Sequence, residues 1–244
     1  MRAIKPGNAS APTKPGDRGT CRVAAVSRGE MERRWTLVRN HLKAKGLDAL
    51  VAVGTSDNNN SGNARWLTDA PGSYRKVVIA YPDDMMTVIE HGPQGATQKF
   101  DGNQPGYAGV GELLTVSEFP AVHYAQHYEA ERAVETLTRR GAKKVALANP
   151  GNMPYGFLAT LKERLEGKVA FVDESDFLDH CKAIKSTEEI EVIKKAAAIQ
   201  DAAIARVLRE AKPGMRDRDI SAIAWRSEEH TSELQSHHDL VCRL

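Results

Sequence analysis

The chain has 244 residues, 41% hydrophobic and 27% charged, with a formal net charge of +2, an ordinary globular composition with room for one large domain or two small ones. Six basic and two acidic residues fall in Met1–Glu30, and Met31–Trp225 is close to neutral, so no basic face for nucleic acid forms. No apolar run approaches the roughly 18 residues of a membrane span, and no secretory signal opens the chain. Before Arg226 only Cys21 and Cys181 occur, unsuited to a disulfide framework or zinc spacing, so a reducing cytoplasm is the default compartment.

Met1–Glu30 is rich in Pro, Gly, Ser and basic residues, lacks periodicity and reads as disordered. Two explanations compete: a real flexible arm, or upstream sequence translated from a start codon set too early. Met31 opening the first structured element favours the second. Met31, Trp35, Val38 and Leu42 mark one helix face, Arg33, Arg34, Arg39 and Lys43 its wet side, and Gly46 its stop. Leu47–Val53 is a short buried strand. Thr55–Asn63 is a turn-rich loop leading into Asn63-Ala-Arg-Trp-Leu-Thr68.

Lys76–Tyr81 and Met85–Ile89 flank Pro82-Asp83-Asp84 and predict a β-hairpin. From His91 the chain reads as irregular to about Gly111, a length that suggests a job or mobility. His123 and His127 would share a face if helical, at a metal-binding spacing, but the Glu that would act as base is absent. Surface or loop histidines are the preferred reading. A helix over Glu129–Arg140, a strand over Lys143–Ala148, a helix over Pro154–Leu165, a strand over Val169–Val172 and a short helix over Glu174–Leu178 follow. That alternation argues for an α/β layer with a partly parallel sheet. Gly141, Gly151, Gly156 and Gly167 form no phosphate-binding spacing.

The stretch Lys182–Ile223 reads as a junction between domains. Ser186 with Glu189 is a capping box, and Glu188, Glu189 and Glu191 suit the positive end of a helix dipole. Ile190, Ile193, Ala197, Ile204, Val207 and Leu208 recur at helical spacing. Pro213-Gly214 then breaks the helix. By pattern alone this is an ordinary amphipathic helix after a linker.

Arg226–Ser236 resembles the translation of a sequencing adapter, and Leu240–Leu244 continues it in frame after His237, His238 and Asp239. Residues 226–244 are therefore set aside as an artefact. His230, His237, His238, Asp239 and Cys242, which would otherwise suggest a metal site, are read as a decoy.

Three stretches carry a family resemblance: the helix, Gly46-Leu-Asp-Ala-Leu50 and strand of Met31–Val53; Asn63–Thr68, with Trp66 in the aromatic place; and Ala183–Met215, with Ile184-Lys-Ser-x-Glu-Glu-Ile190, an alanine-rich helix and Lys212-Pro-Gly-Met215. Together they resemble the creatinase / Xaa-Pro aminopeptidase / Xaa-Pro dipeptidase family. The resemblance implies an α/β, creatinase-type N-terminal domain over 31–180, with a mixed, partly parallel sheet flanked by helices. A truncated start of a pita-bread α+β catalytic domain over 181–225 would follow, with the stripe Ile190–Leu208 facing a sheet further along.

The parent would be a homodimeric metallopeptidase acting on Xaa-Pro peptides with two divalent metals, manganese, cobalt or zinc, held by two Asp, a His and two Glu. Two such metals supply a bridging hydroxide nucleophile. None of those ligands can be placed here: Asp217 and Asp219 stand too early and read as partners of a helix dipole. The chain itself is expected to hold no cofactor, to be inactive, and to serve oligomerisation and the shaping of the substrate site, with no nucleic-acid or membrane partner.

Asn63, Arg65 and Trp66 are the candidates for substrate-adjacent residues in that parent. Against this stands a plainer and weightier reading, with Trp66 in the core and Arg65 in a surface ion pair. The alternatives for the whole are a metal-free creatinase-like amidinohydrolase, a lyase relative, or a non-catalytic binding or assembly module.

Overall fold

Apolar residues alternate along the strands and divide between two helical layers. On β1 (Ala49–Thr55), Leu50 and Ala52 enter one core cluster while Ala49, Val51 and Val53 enter the other, as the two-residue period of a strand dictates. The structure is a computed structural model that describes residues 26–55, 62–68, 75–117, 119, 122 and 127–236, without the side chains of 55 and 227–236.

Six further strands complete the sheet: β2 (Arg75–Ala80), β3 (Met86–His91), β4 (Thr97–Lys99), β5 (Val110–Val116), β6 (Lys144–Ala148) and β7 (Ala170–Asp173). Their order is β4-β5-β3-β2-β1-β6-β7. β1, β6 and β7 run parallel, as do β3 and β5, while β2 is antiparallel to both its neighbours. The sheet is thus mixed and partly parallel, as the alternation of elements predicts.

One face is covered by α1 (Arg28–Lys45), α2 (Gly62–Thr68) and α5 (Ser175–Ala183), which contribute Met31, Trp35, Val38, Leu42, Leu67 and Leu178. The other is covered by α3 (Tyr128–Arg139) and α4 (Tyr155–Arg164), through Ala133, Leu137, Phe157 and Leu161. Gly46 ends α1 in the left-handed conformation (φ 60°), its N–H reaching Leu42 and Lys43 carbonyls, the stop its sequence position predicts.

Two expectations need correction. The segment after His91 is not irregular to Gly111: β4 lies in it, and β5, which sits between β4 and β3, begins at Val110. Helix α1 also begins earlier than Met31, at Arg28, because Ser27 Oγ accepts from the Glu30 N–H at 3.1 Å. Ser27 and Glu30 have capping-box spacing of their own.

After α5 come α6 (Thr187–Glu210) and α7 (Asp217–Ser236), separated by Gly214 at φ 89°. Residues 25–196 form one compact unit, and 197 onward belongs to a second, in which Ala203 and Ile223 are buried. Ile190 and Ile193 on the first, and Ile204 and Leu208 on the second, are exposed. The α7 backbone continues past Arg226; His237, His238, Asp239 and Cys242 lie outside the described residues, as does the His230 side chain. Among the described residues no helix is long and apolar enough to cross a membrane.

Candidate functional site

A polar cluster of the N-terminal unit gathers where α1, α2, α5 and the first turn of α6 meet. Glu189 is its hub. Its Oε2 accepts from the Ser186 N–H at 2.8 Å while the Glu189 N–H donates to Ser186 Oγ at 3.1 Å, so the capping box read from the sequence is closed in both directions. Its Oε1 accepts from Arg34 Nη2 at 2.8 Å and from Trp66 Nε1 at 3.2 Å. Arg33 Nη2 approaches Oε2 at 3.5 Å.

Arg34 is held on three sides. Besides Glu189 it donates from Nε to Glu30 Oε1 at 2.8 Å and from Nη1 to the Trp66 carbonyl at 3.1 Å. With its side chain 6% exposed, a planar fork of donors is what such a site demands. Glu30 takes a second guanidinium, Arg33, at 2.7 Å. Burial alone would raise the Glu30 carboxyl, but hydrogen bonds from Arg33, Arg34 and Ser186 outweigh it and bring the group down from 4.5 to about 2.

Next to this cluster Glu188 accepts from the Ser27 N–H at 2.6 Å and from Ser27 Oγ at 2.5 Å. The Lys182 ammonium donates to Asn63 Oδ1 at 2.7 Å. Trp66 is 8% exposed and packs in the core, with the Arg34 guanidinium 5.3 Å from its ring centre. So two of the three residues singled out as substrate-adjacent, Asn63 and Trp66, bind side chains of the α5–α6 segment, and Arg65 is half-buried in the same short helix. Sequence reasoning missed Arg34, Glu30 and Ser27 as members of the cluster.

Other polar groups are spread over the unit. Glu174 accepts from Lys45 at 2.9 Å and pairs with His41 Nε2 at 2.7 Å, and His41 stacks on Phe177. Burial would raise the Glu174 carboxyl, but those two partners lower it on balance. Lys76 Nζ lies 3.1 Å from Glu90, which also accepts from Tyr107 Oη at 2.5 Å. His127 Nδ1 lies 2.9 Å from Thr160 Oγ1; His123 lies outside the described residues.

The chemistry open to the Glu189 cluster is clamping. Its carboxylates face guanidinium, indole and backbone donors, which occupy the oxygens a metal ion would need. Among the described residues no three or more His, Cys, Asp and Glu side chains gather as a metal site would need. Asp219 Oδ2 accepts from the Arg216 N–H at 3.1 Å, capping α7. The donor set of a two-metal centre therefore does not fit these described residues.

No family model matches the chain. Over 106 residues, 43% of its length, it is 29% identical to the Xaa-Pro dipeptidase of Pyrococcus horikoshii and 33% identical to that of Pyrococcus furiosus, the match covering 28% of each. Its fold is similar to the Xaa-Pro dipeptidase from Bacillus anthracis (TM-score 0.57, 16% identity, 83% of this chain and 50% of that one) and to the X-Pro aminopeptidase from Thermotoga maritima (TM-score 0.62, 14% identity, 82% and 49%). The chain thus spans about half the length of these solved relatives.

Proposed function

We propose that this chain, whose relatives in sequence and in fold are Xaa-Pro peptidases, is the N-terminal part of an Xaa-Pro-type metallopeptidase. The observation that carries the reading is the coincidence of two matches: 106 residues of sequence similarity to two Xaa-Pro dipeptidases, and a shared α/β fold over more than four fifths of the chain. The family resemblance and the mixed-sheet fold class read from the sequence are both borne out.

In that parent the two divalent metals, manganese, cobalt or zinc, would be held by residues outside this chain's described part. This chain would contribute the N-terminal domain, with roles in dimer assembly and in shaping the wall of the peptide site. Asn63, Arg65 and Trp66 fit the second role through α2, which sits beside the start of α6. Residues 226–244 are read as translated adapter, which resequencing codons 226–244 from an independent clone checks.

Expression of the parent's uninterrupted reading frame is the test. The reading requires release of proline from an Xaa-Pro dipeptide, abolished by a chelator and restored by manganese, cobalt or zinc. A complete protein that hydrolyses creatine, or that turns over no peptide with any of these metals, would overturn it.

A further inference from the structure

Residues 187–196 belong to the same compact unit as the sheet, yet none of them is buried. Ile190 and Ile193 are 42% and 51% exposed. Apolar burial does not fix the first turns of α6. What joins these turns to the unit is polar.

Two helix N-termini, those of α1 and α6, share this joint, and each end carries about half a positive charge. Arg33 and Arg34 add two full positive charges, and Glu30, Glu188 and Glu189 supply three negative ones. The three carboxylates thus face the positive groups of the joint. Each helix cap is also bound by the other helix: Ser27, which caps α1, donates to Glu188, and Glu189, which caps α6, accepts from Arg34.

We propose that Glu189 is a positioning residue that makes the first turns of α6 conditional on an assembled α1–α2 face. One carboxylate serves both tasks, Oε2 closing the cap on Ser186 and Oε1 bound by Arg34 and Trp66. A carboxylate released by Arg34 and Trp66 is therefore freer to swing away from Ser186. Hydrogen bonds that share one group reinforce each other in this way. The consequence is a coupling: the first turns of α6 are stable only while the α1–α2 face is assembled, and they stabilise that face in return. This conclusion stands on the chain's own contacts and goes beyond the peptidase reading.

Hydrogen exchange read by mass spectrometry on the full 244-residue chain tests it. Trp66→Phe removes one donor from Glu189 and keeps an aromatic core residue; Arg34→Met removes the charged one. Neither touches α6. Exchange in 187–196 should rise about threefold in Trp66→Phe and about tenfold in Arg34→Met, the latter matching one charged hydrogen bond. Ala49–Thr55 should keep its wild-type protection. Glu189→Gln, which retains an acceptor for the cap, should exchange at least as fast in 187–196 as Arg34→Met.

If Ser186→Ala and Glu189→Gln quicken exchange there while Trp66→Phe and Arg34→Met leave it unchanged, Glu189 is a local cap only and the proposal falls. It falls equally if no variant changes 187–196. Should Arg34→Met unfold the sheet, Trp66→Phe decides alone.

Discussion

Arg34 and Glu189, separated by 155 positions in the chain, lie 2.8 Å apart with side chains only 6% and 12% exposed. The same guanidinium grips Glu30 and the Trp66 carbonyl. A point charge on a flexible stem cannot serve three directions at once. Arg34→Lys should therefore cost on the order of 2 kcal/mol, the loss of one or two charged hydrogen bonds in a shielded place. Urea unfolding of the two proteins checks it; equal midpoints would show that charge alone is needed at this position.

Acid should loosen the same joint. The folded-state value of Glu30, about 2, lies below the 4.5 of the free group. A depressed carboxylate contributes stability that is complete above its unfolded value and is lost as the pH falls from about 4.5 toward 2. Glu112 and Glu174 are shifted in the same direction, burial being outweighed by Lys99 and Arg139 in one case and by Lys45 and His41 in the other. Glu30→Gln should lower stability at pH 7 and flatten its fall between pH 5 and 2 by roughly 2–3 kcal/mol. Unfolding curves at pH 7, 4 and 2.5 decide it, and an unaltered slope would place the acid sensitivity elsewhere.

Gly109 is the glycine whose replacement should be felt most. Its φ is +72°, and a Cβ there would stand 2.5 Å from the Trp35 ring, which is itself fixed by a 2.7 Å bond from Nε1 to the Leu67 carbonyl. Gly141, at φ +67°, has nothing within 4 Å of such an atom. Gly141→Ala should cost about 1 kcal/mol, the price of a left-handed backbone, and Gly109→Ala about 3 kcal/mol or more, since overpacking adds to it. Thermal unfolding of both variants compares them; equal losses would mean that the ring gives way freely.

The parts legible in the sequence were those whose cause is local. Ser186 and Glu189 are three residues apart, so the capping box is visible in the chain, as is the Gly46 stop after an amphipathic run. The hairpin around Pro82–Asp84 is legible for the same reason. Strand β5 was not, because Gly111 and Glu112 interrupt its apolar run and its partner β3 lies parallel across a long connection with no hairpin turn. The wider cluster was hidden because a lone Arg on a helix looks like a solvated face until the chain folds. Arg34 was assigned to the wet side of α1 on that ground and is 5% exposed. Trp66, a candidate both for the core and for a place beside the substrate, is 8% exposed, and its indole N–H finds Glu189 at a separation of 123 residues.

Under the proposed function, this chain supplies a domain of a peptidase and not its reacting groups. Purified 1–244, incubated with an Xaa-Pro dipeptide and manganese, cobalt or zinc, measures that directly through proline release. No release above buffer is expected with any of the three metals. Metal-dependent proline release by the 244-residue chain would contradict it and would locate a reactive centre within these residues.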